Sequence, residues 1–74
     1  MSTQSSQLSL SSREREILKK ICEGETYSTI ARVLGISTHT VDTHIRRIRR
    51  KTGIANRSQL VILAVRLGLY QADQ

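Results

Sequence analysis

The chain has 74 residues, a net charge of +6, no proline, one cysteine and only two aromatic residues, both tyrosine. This length fits one small domain, and the aliphatic core that the composition allows favours a helical bundle over a sheet. A single cysteine excludes an internal disulfide and a cysteine-based metal site. The longest apolar run is too short to span a bilayer, and the first seven residues do not resemble a signal peptide. We therefore expect a cytoplasmic protein without a cofactor or a metal.

The N-terminal part predicts a tail followed by a capped helix. Residues 1–9 are rich in Ser and Gln and are expected to form a disordered tail, although Leu8 and Leu10 are candidates to fold back onto the domain. Ser11 and Glu14 have the spacing of a capping box, which predicts that a helix begins after Ser11. Gly24 supplies the left-handed residue that commonly ends a helix. The apolar side of this first helix consists of Ile17, Leu18, Ile21 and Cys22.

The middle of the chain predicts a helix-turn-helix. Thr26 can cap a second helix, Gly35 ends it, Ile36 points inward and Ser37 caps a third helix. Two amphipathic helices joined by such a three-residue link form a helix-turn-helix. Asn56 can cap a fourth helix. The predicted fold is all-α, a four-helix bundle with helices at about 12–23, 27–34, 38–52 and 57–67, in a domain spanning 10–70 that is followed by a tail at 71–74.

The third helix divides into an apolar side and a basic side. Val41, Ile45, Ile48 and Thr52 recur at helical spacing and should face the core. Between residues 38 and 57 there are six basic residues and one acidic residue, which indicates a polyanionic partner such as DNA. A solvated helix face is the alternative interpretation, whereas a membrane surface would need more apolar residues. The residues predicted to face outward are His39, Thr43, Arg46, Arg47 and Arg50.

The fourth helix is apolar on nearly every side between residues 60 and 65. One face can pack on the core, and an exposed apolar remainder usually indicates a partner. A second copy of the chain is the preferred partner, because a two-fold dimer matches a palindromic DNA site. Alternatively, the Leu8 and Leu10 segment or the Leu69 and Tyr70 segment covers this face. The predicted dimer interface consists of Leu60, Val61, Leu63, Ala64 and Leu67.

Together these residues resemble the helix-turn-helix domain of the LuxR/FixJ-type (GerE-like) bacterial transcription regulators. The resemblance extends from Leu10 to about Leu67. It implies a four-helix bundle whose third helix enters the major groove of double-stranded DNA and whose fourth helix forms the dimer contact. The residues that carry it are Leu10, Arg13, Glu14, Glu16, Leu18, Gly24, Ile30, Ala31, Leu34–Ser37, Thr40, Val41, His44, Ile48, Lys51 and Arg57–Leu60.

The resemblance also implies roles for single residues. Thr43 and Arg46 match family positions that read base edges, and arginine can bond guanine in bidentate fashion. His39 lies on the same outward arc and is a further base-reading candidate. Phosphate binding is predicted for the N-terminal amides around Thr38 and for a basic group near the end of the helix. That group consists of Arg47, Arg49, Arg50 and Lys51.

The sequence departs from the family at three positions. Thr29 replaces the usual Glu, Thr52 replaces the usual Leu, and Asp42 replaces a Lys that typically contacts DNA. Asp42 has two interpretations. It can accept a hydrogen bond from cytosine N4, which makes it a base-reading candidate, or it can form an i, i+4 ion pair that orients Arg46. The ion pair is preferred.

The main functional hypothesis is a transcription regulator that binds DNA as a homodimer on two half-sites, with RNA polymerase as a further candidate partner. One alternative is a promoter-binding domain like region 4 of sigma factors. Another is a small antagonist that pairs with a related regulator through the fourth helix, which Asp42 would favour. An enzyme is not expected, because Ser37, His39 and His44 offer no convincing triad.

Overall fold

A computed structural model describes residues 10–71, and in these residues every regular element is an α-helix. The helices confirm the predicted four-helix architecture, and each predicted boundary lies within one residue of the observed one. The predicted tail at 1–9 and most of the predicted tail at 71–74 lie outside the described residues. The helices are α1 (Ser12–Cys22), α2 (Tyr27–Leu34), α3 (Thr38–Thr52) and α4 (Arg57–Arg66).

Each helix begins where a side chain accepts a hydrogen bond from its first turn. Ser11 Oγ accepts from the Glu14 N–H at 3.1 Å, and Glu14 Oε1 accepts in return from the Ser11 N–H at 2.9 Å, which completes the predicted capping box. The same kind of cap starts the other three helices, at distances of 3.0 to 3.3 Å. Those caps are Thr26, Ser37 and Asn56, as predicted.

The turn between α2 and α3 depends on a left-handed glycine. Gly35 has a φ of +71°, which an L side chain rarely adopts without strain. The Ile36 N–H reaches back to the Ala31 carbonyl at 3.0 Å, and Ile36 packs half-buried against the core. Ser37 follows directly as the cap of α3. This three-residue link fixes the angle at which α3 leaves α2, and it confirms the predicted helix-turn-helix.

The core is aliphatic and holds α3 by one face. Val41, Ile45 and Ile48 are buried there, and α3 packs against both α1 and α2. Leu10 is buried with them, as predicted, whereas Leu8 lies outside the described residues. The remaining buried core residues are Ile17, Leu18, Ile21, Cys22, Ile30, Ala31, Leu60 and Ala64.

Helix α4 is fixed to α1 by a polar contact as well as by the core. Arg57 Nη2 donates a hydrogen bond of 2.8 Å to the Ile21 carbonyl, near the C-terminal end of α1. Cys22 lies beside it, with Sγ 3.8 Å from the Leu60 carbonyl, and burial raises the pKa of its thiol. Within residues 10–71, none of these helices has the length and apolar content needed to cross a membrane.

Candidate nucleic-acid interface

Helix α3 turns its basic side to solvent. His39, Arg46, Arg47 and Arg50 are exposed and Thr43 is partly exposed, while Val41, Ile45 and Ile48 on the opposite face are buried. The division predicted from helical spacing is therefore confirmed. An α-helix fits the major groove of B-DNA, which is about 12 Å wide, so an outward helix face of this kind can approach base edges.

Arg46 and Asp42 form the expected ion pair. Arg46 Nε lies 3.0 Å from Asp42 Oδ2, one helical turn earlier. The Arg46 side chain is 74% exposed, so this contact stabilises the helix by only about 0.3–0.5 kcal/mol. Its main consequence is geometric, because it restrains the guanidinium through Nε. The edge formed by Nη1 and Nη2 is the part of an arginine that can bond guanine O6 and N7.

Thr43 lies one turn from both His39 and Arg47 on the outward face. Its hydroxyl donates a hydrogen bond of 3.1 Å to the His39 carbonyl. A hydroxyl that donates to its own helix keeps its oxygen lone pairs for accepting. Thr43 in this rotamer is therefore suited to accept a hydrogen bond from an exocyclic amine of adenine or cytosine.

The N-terminal end of α3 is open to solvent. Ser37 Oγ accepts from the Thr40 N–H at 3.0 Å and lies 2.9 Å from the Thr40 hydroxyl. Thr38 and His39, in the first turn, are exposed. The positive end of the helix dipole and the amides of this first turn suit a phosphate oxygen.

The basic residues near the end of α3 lie on two different flanks. Arg47, Arg50 and Lys51 border a cleft of about 470 Å³ whose other wall is Ser11 and Glu14 at the start of α1. Arg49 instead borders a separate groove of about 310 Å³. The sequence alone grouped these four residues, whereas the structure separates Arg49 from the other three. The other residues around the Arg49 groove are Ile21, Gly24, Glu25, Tyr27, Ile45, Arg57 and Leu60.

Glu14 is a charged residue of this region for which the sequence predicted a capping role and no role at the interface. Its side chain is 3% exposed, and Lys51 Nζ donates a hydrogen bond of 2.9 Å to its Oε1. Burial by itself raises the pKa of Glu14. The hydrogen bonds from Lys51 and the Ser11 N–H, together with the charges of Lys51 and His44, lower the pKa below its ordinary value of 4.5. The ammonium that was predicted to bind phosphate thus already has a carboxylate partner.

The lowered pKa of Glu14 predicts a loss of stability in acid. Because the folded-state pKa lies below 4.5, the stabilisation is fully present above pH 4.5 and is lost as the pH falls through the folded-state pKa. Urea unfolding at several pH values between about 7 and 3 should show a steeper acidic decline for the native chain than for Glu14→Gln. Parallel declines would contradict this assignment.

His44 lies half-buried on the side of α3 nearest Glu14. Its Nδ1 is buried and makes no hydrogen bond within residues 10–71. His44, one of the residues that carry the family resemblance, is thus only partly exposed on α3.

The predicted dimer interface on α4 requires a correction. Leu60 and Ala64 are almost completely buried in the chain's own core, so their side chains cannot contact a second copy. The predicted residues Val61, Leu63 and Leu67 are half-buried. The most exposed apolar side chains of α4 are instead Ile62, at 54%, and Val65, at 43%. Leu69 and Tyr70 also pack half-buried against the core, without enclosing these two residues.

Comparison with known proteins agrees with this geometry. Residues 8–64 match the family described as bacterial regulatory proteins, luxR family. The chain is 43% identical over 58 residues to the transcriptional activator protein PhzR of Pseudomonas fluorescens, covering 78% of this chain and 24% of PhzR. It is 44% identical over 59 residues to the transcriptional activator protein EsaR of Pantoea stewartii, covering 80% of this chain and 24% of EsaR.

A third relative shows a similar match. The chain is 40% identical over 57 residues to the probable transcriptional regulatory protein NarL of Mycobacterium tuberculosis, covering 77% of this chain and 26% of NarL. The chain therefore spans about a quarter of the length of these three relatives. In each case the similarity includes most of the four-helix domain described above.

Proposed function

This chain belongs to the luxR family of bacterial regulatory proteins, a family of DNA-binding transcription regulators and not of enzymes, and we propose that it binds double-stranded DNA in a sequence-specific manner. The observation that carries the proposal is the geometry of α3. Its apolar face is buried between α1 and α2, and its basic face is open to solvent along the whole helix. In this function α3 lies in the major groove.

The exposed side chains of α3 divide between reading bases and binding the backbone. Arg46 and Thr43, near the middle of the helix, read base edges, with His39 beside them and Asp42 restraining Arg46. These four residues would supply the sequence preference. Affinity that does not depend on sequence comes from charge. The residues proposed to contact phosphates are Thr38, Arg47, Arg49 and Arg50.

We further propose that the chain acts as a homodimer on two half-sites. Ile62 and Val65 form an exposed apolar surface on α4, with Val61 at its edge. Pairing this surface with its own copy would remove it from water and would place two α3 helices about a two-fold axis. PhzR and EsaR are named transcriptional activators, so RNA polymerase is a candidate partner of this chain as well. Such a regulator acts in the cytoplasm, where the bacterial chromosome lies.

The dimer proposal predicts that Ile62→Glu weakens binding to a duplex with two half-sites. The introduced glutamate would be buried in the dimer contact, and its charge opposes pairing. We therefore expect the affinity to fall by about 10- to 100-fold on a duplex with two half-sites and to change little on a duplex with one. Fluorescence anisotropy with the two duplexes measures both affinities. Val33→Glu is the matched control, because Val33 is an exposed apolar residue, at 57%, on a different helix, α2. Equal losses for the two variants would contradict the proposed surface.

A second candidate function is an antagonist that pairs with a related regulator. The observation that favours it is Asp42, an acidic residue on the helix that should approach phosphates. The two functions differ in their sequence preference. A regulator binds a selected duplex far more tightly than a shuffled duplex of the same composition, by about 10³-fold or more at physiological salt. An antagonist binds both equally weakly, which an anisotropy titration of the native chain against the two duplexes would reveal.

A further inference from the structure

A polar contact joins the first turn of α1 to the last turn of α3. Glu14 Oε1 accepts two hydrogen bonds of 2.9 Å, one from the Ser11 N–H and one from Lys51 Nζ. Glu14 and Lys51 are 37 residues apart in the sequence. We refer to Ser11, Glu14 and Lys51 as the α1–α3 clasp. It attaches α3, the helix proposed to lie in the major groove, to α1.

The clasp is asymmetric in its exposure to water. The Glu14 side chain is 3% exposed and the Lys51 side chain is 38% exposed. Among residues 10–71, Glu14 is the buried charged residue. A buried carboxylate that loses its partner is strongly destabilised, because no water replaces the missing hydrogen bond. The buried carboxylate of Glu14 therefore holds the Lys51 ammonium close to it.

The clasp adjoins the residues proposed to bind phosphate. Arg47 lies one helical turn before Lys51, and both border the same cleft as Arg50, Ser11 and Glu14. Charged groups that face Glu14 across this cleft are Lys51, Arg47 and Arg50, and the charge of His44 acts on it as well. Any shift of α3 relative to α1 would move Arg46, Arg47 and Arg50 together relative to the rest of the domain.

We infer that Glu14 and Lys51 are positioning residues for DNA binding, and that the Lys51 ammonium holds α3 in place instead of serving as a phosphate ligand. This inference rests on the proposed function. It makes Glu14, a buried acid outside the helix-turn-helix, necessary for tight binding of a polyanion. Simple electrostatics makes the opposite prediction, since removing a negative charge near phosphates should strengthen binding.

The test compares Glu14→Gln, Lys51→Met and the double variant in anisotropy titrations at several salt concentrations. Glutamine keeps an oxygen that accepts from the Ser11 N–H but lacks the charge that holds Lys51. We expect each single variant to bind the selected duplex at least about threefold more weakly, with no further loss in the double variant. The two single variants should also show the same salt dependence. Affinities are measured well below the thermal transition of each variant.

Arg47→Ala is the matched control for a phosphate ligand. It should reduce the slope of log K against log salt by about 0.9, as expected when one phosphate contact is lost. Tighter DNA binding by Glu14→Gln would overturn the inference. So would a slope of log K against log salt that Lys51→Met reduces and Glu14→Gln does not, because Lys51 would then be a phosphate ligand. Unchanged affinity in both variants would overturn it too, because the clasp would then serve stability only.

A second variant keeps the test decisive if Glu14→Gln does not fold. Glu14→Asp retains the charge but shortens the side chain by one methylene group, which draws the carboxylate away from its 2.9 Å contact with Lys51. The inference expects weaker DNA binding by this variant, whereas unchanged binding contradicts it. Failure of the native chain to bind any duplex would instead overturn the proposed function, and the inference with it.

Discussion

Replacing Arg46 with alanine is expected to relax the sequence preference of the protein. A bidentate arginine–guanine contact contributes about 1–3 kcal/mol of discrimination against other bases. Its removal should therefore lower the affinity for the selected duplex by roughly 5- to 150-fold. The loss on a shuffled duplex should be much smaller, because Arg46 supplies only one of several positive charges there. Anisotropy titrations against both duplexes measure the ratio of the two affinities.

The matched control for Arg46 is its neighbour Arg47, also exposed and also in α3. Arg47→Ala removes the same charge but no proposed base contact. It should therefore weaken binding to both duplexes by the same factor and leave their ratio unchanged. If Arg46→Ala behaved in the same way as Arg47→Ala, Arg46 would be a backbone contact and its base-reading assignment would be wrong.

Replacing Ile48 with alanine is expected to remove a large part of the free energy of unfolding of the protein. Ile48 is fully buried in α3, and removing such a side chain costs about 2–5 kcal/mol. A domain of this size has a total free energy of unfolding of only about 3–10 kcal/mol. Urea unfolding followed by circular dichroism at the helical bands measures the change.

Arg50→Ala serves as the control for Ile48, because Arg50 lies two residues further along the same helix on the exposed side. Its substitution should change the free energy of unfolding by less than about 0.5 kcal/mol. DNA binding should nevertheless weaken. A destabilisation by Arg50→Ala as large as that by Ile48→Ala would contradict the division of α3 into a core face and a DNA face.

The helices could be predicted from the sequence because their signals are local. Gly35 ends α2 and Ser37 begins α3, and each acts through a backbone conformation or a hydrogen bond within its own turn. The ion pair between Asp42 and Arg46 was predictable for the same reason, since it lies within one helical turn.

The exposed face of α4 could not be predicted in this way. Leu60 and Ala64 were assigned to a dimer interface, yet both are buried. Helix α4 is apolar on most sides, so periodicity does not identify the side that faces the core. The packing of α4 against α1 decides this, and it leaves Ile62 and Val65 exposed.

The burial of Glu14 had a signal in the sequence that remained unused. Glu14, Ile17, Leu18 and Ile21 follow the spacing i, i+3, i+4 and i+7, so Glu14 continues the apolar face of α1. An acidic residue at such a position needs a cation as its partner. The identity of that cation, Lys51, depends on how α1 packs against α3, which local patterns do not specify.

Selection of bound duplexes from a random DNA pool tests most directly whether α3 reads DNA as part of a dimer. The proposal predicts one enriched sequence made of two half-sites related by two-fold symmetry, with centres about 10–10.5 base pairs or a multiple of that apart. The same selection with Arg46→Ala should lose the preference at one position in each half-site. Retention of DNA without any enriched sequence, by the native chain and the variant alike, would contradict the proposal.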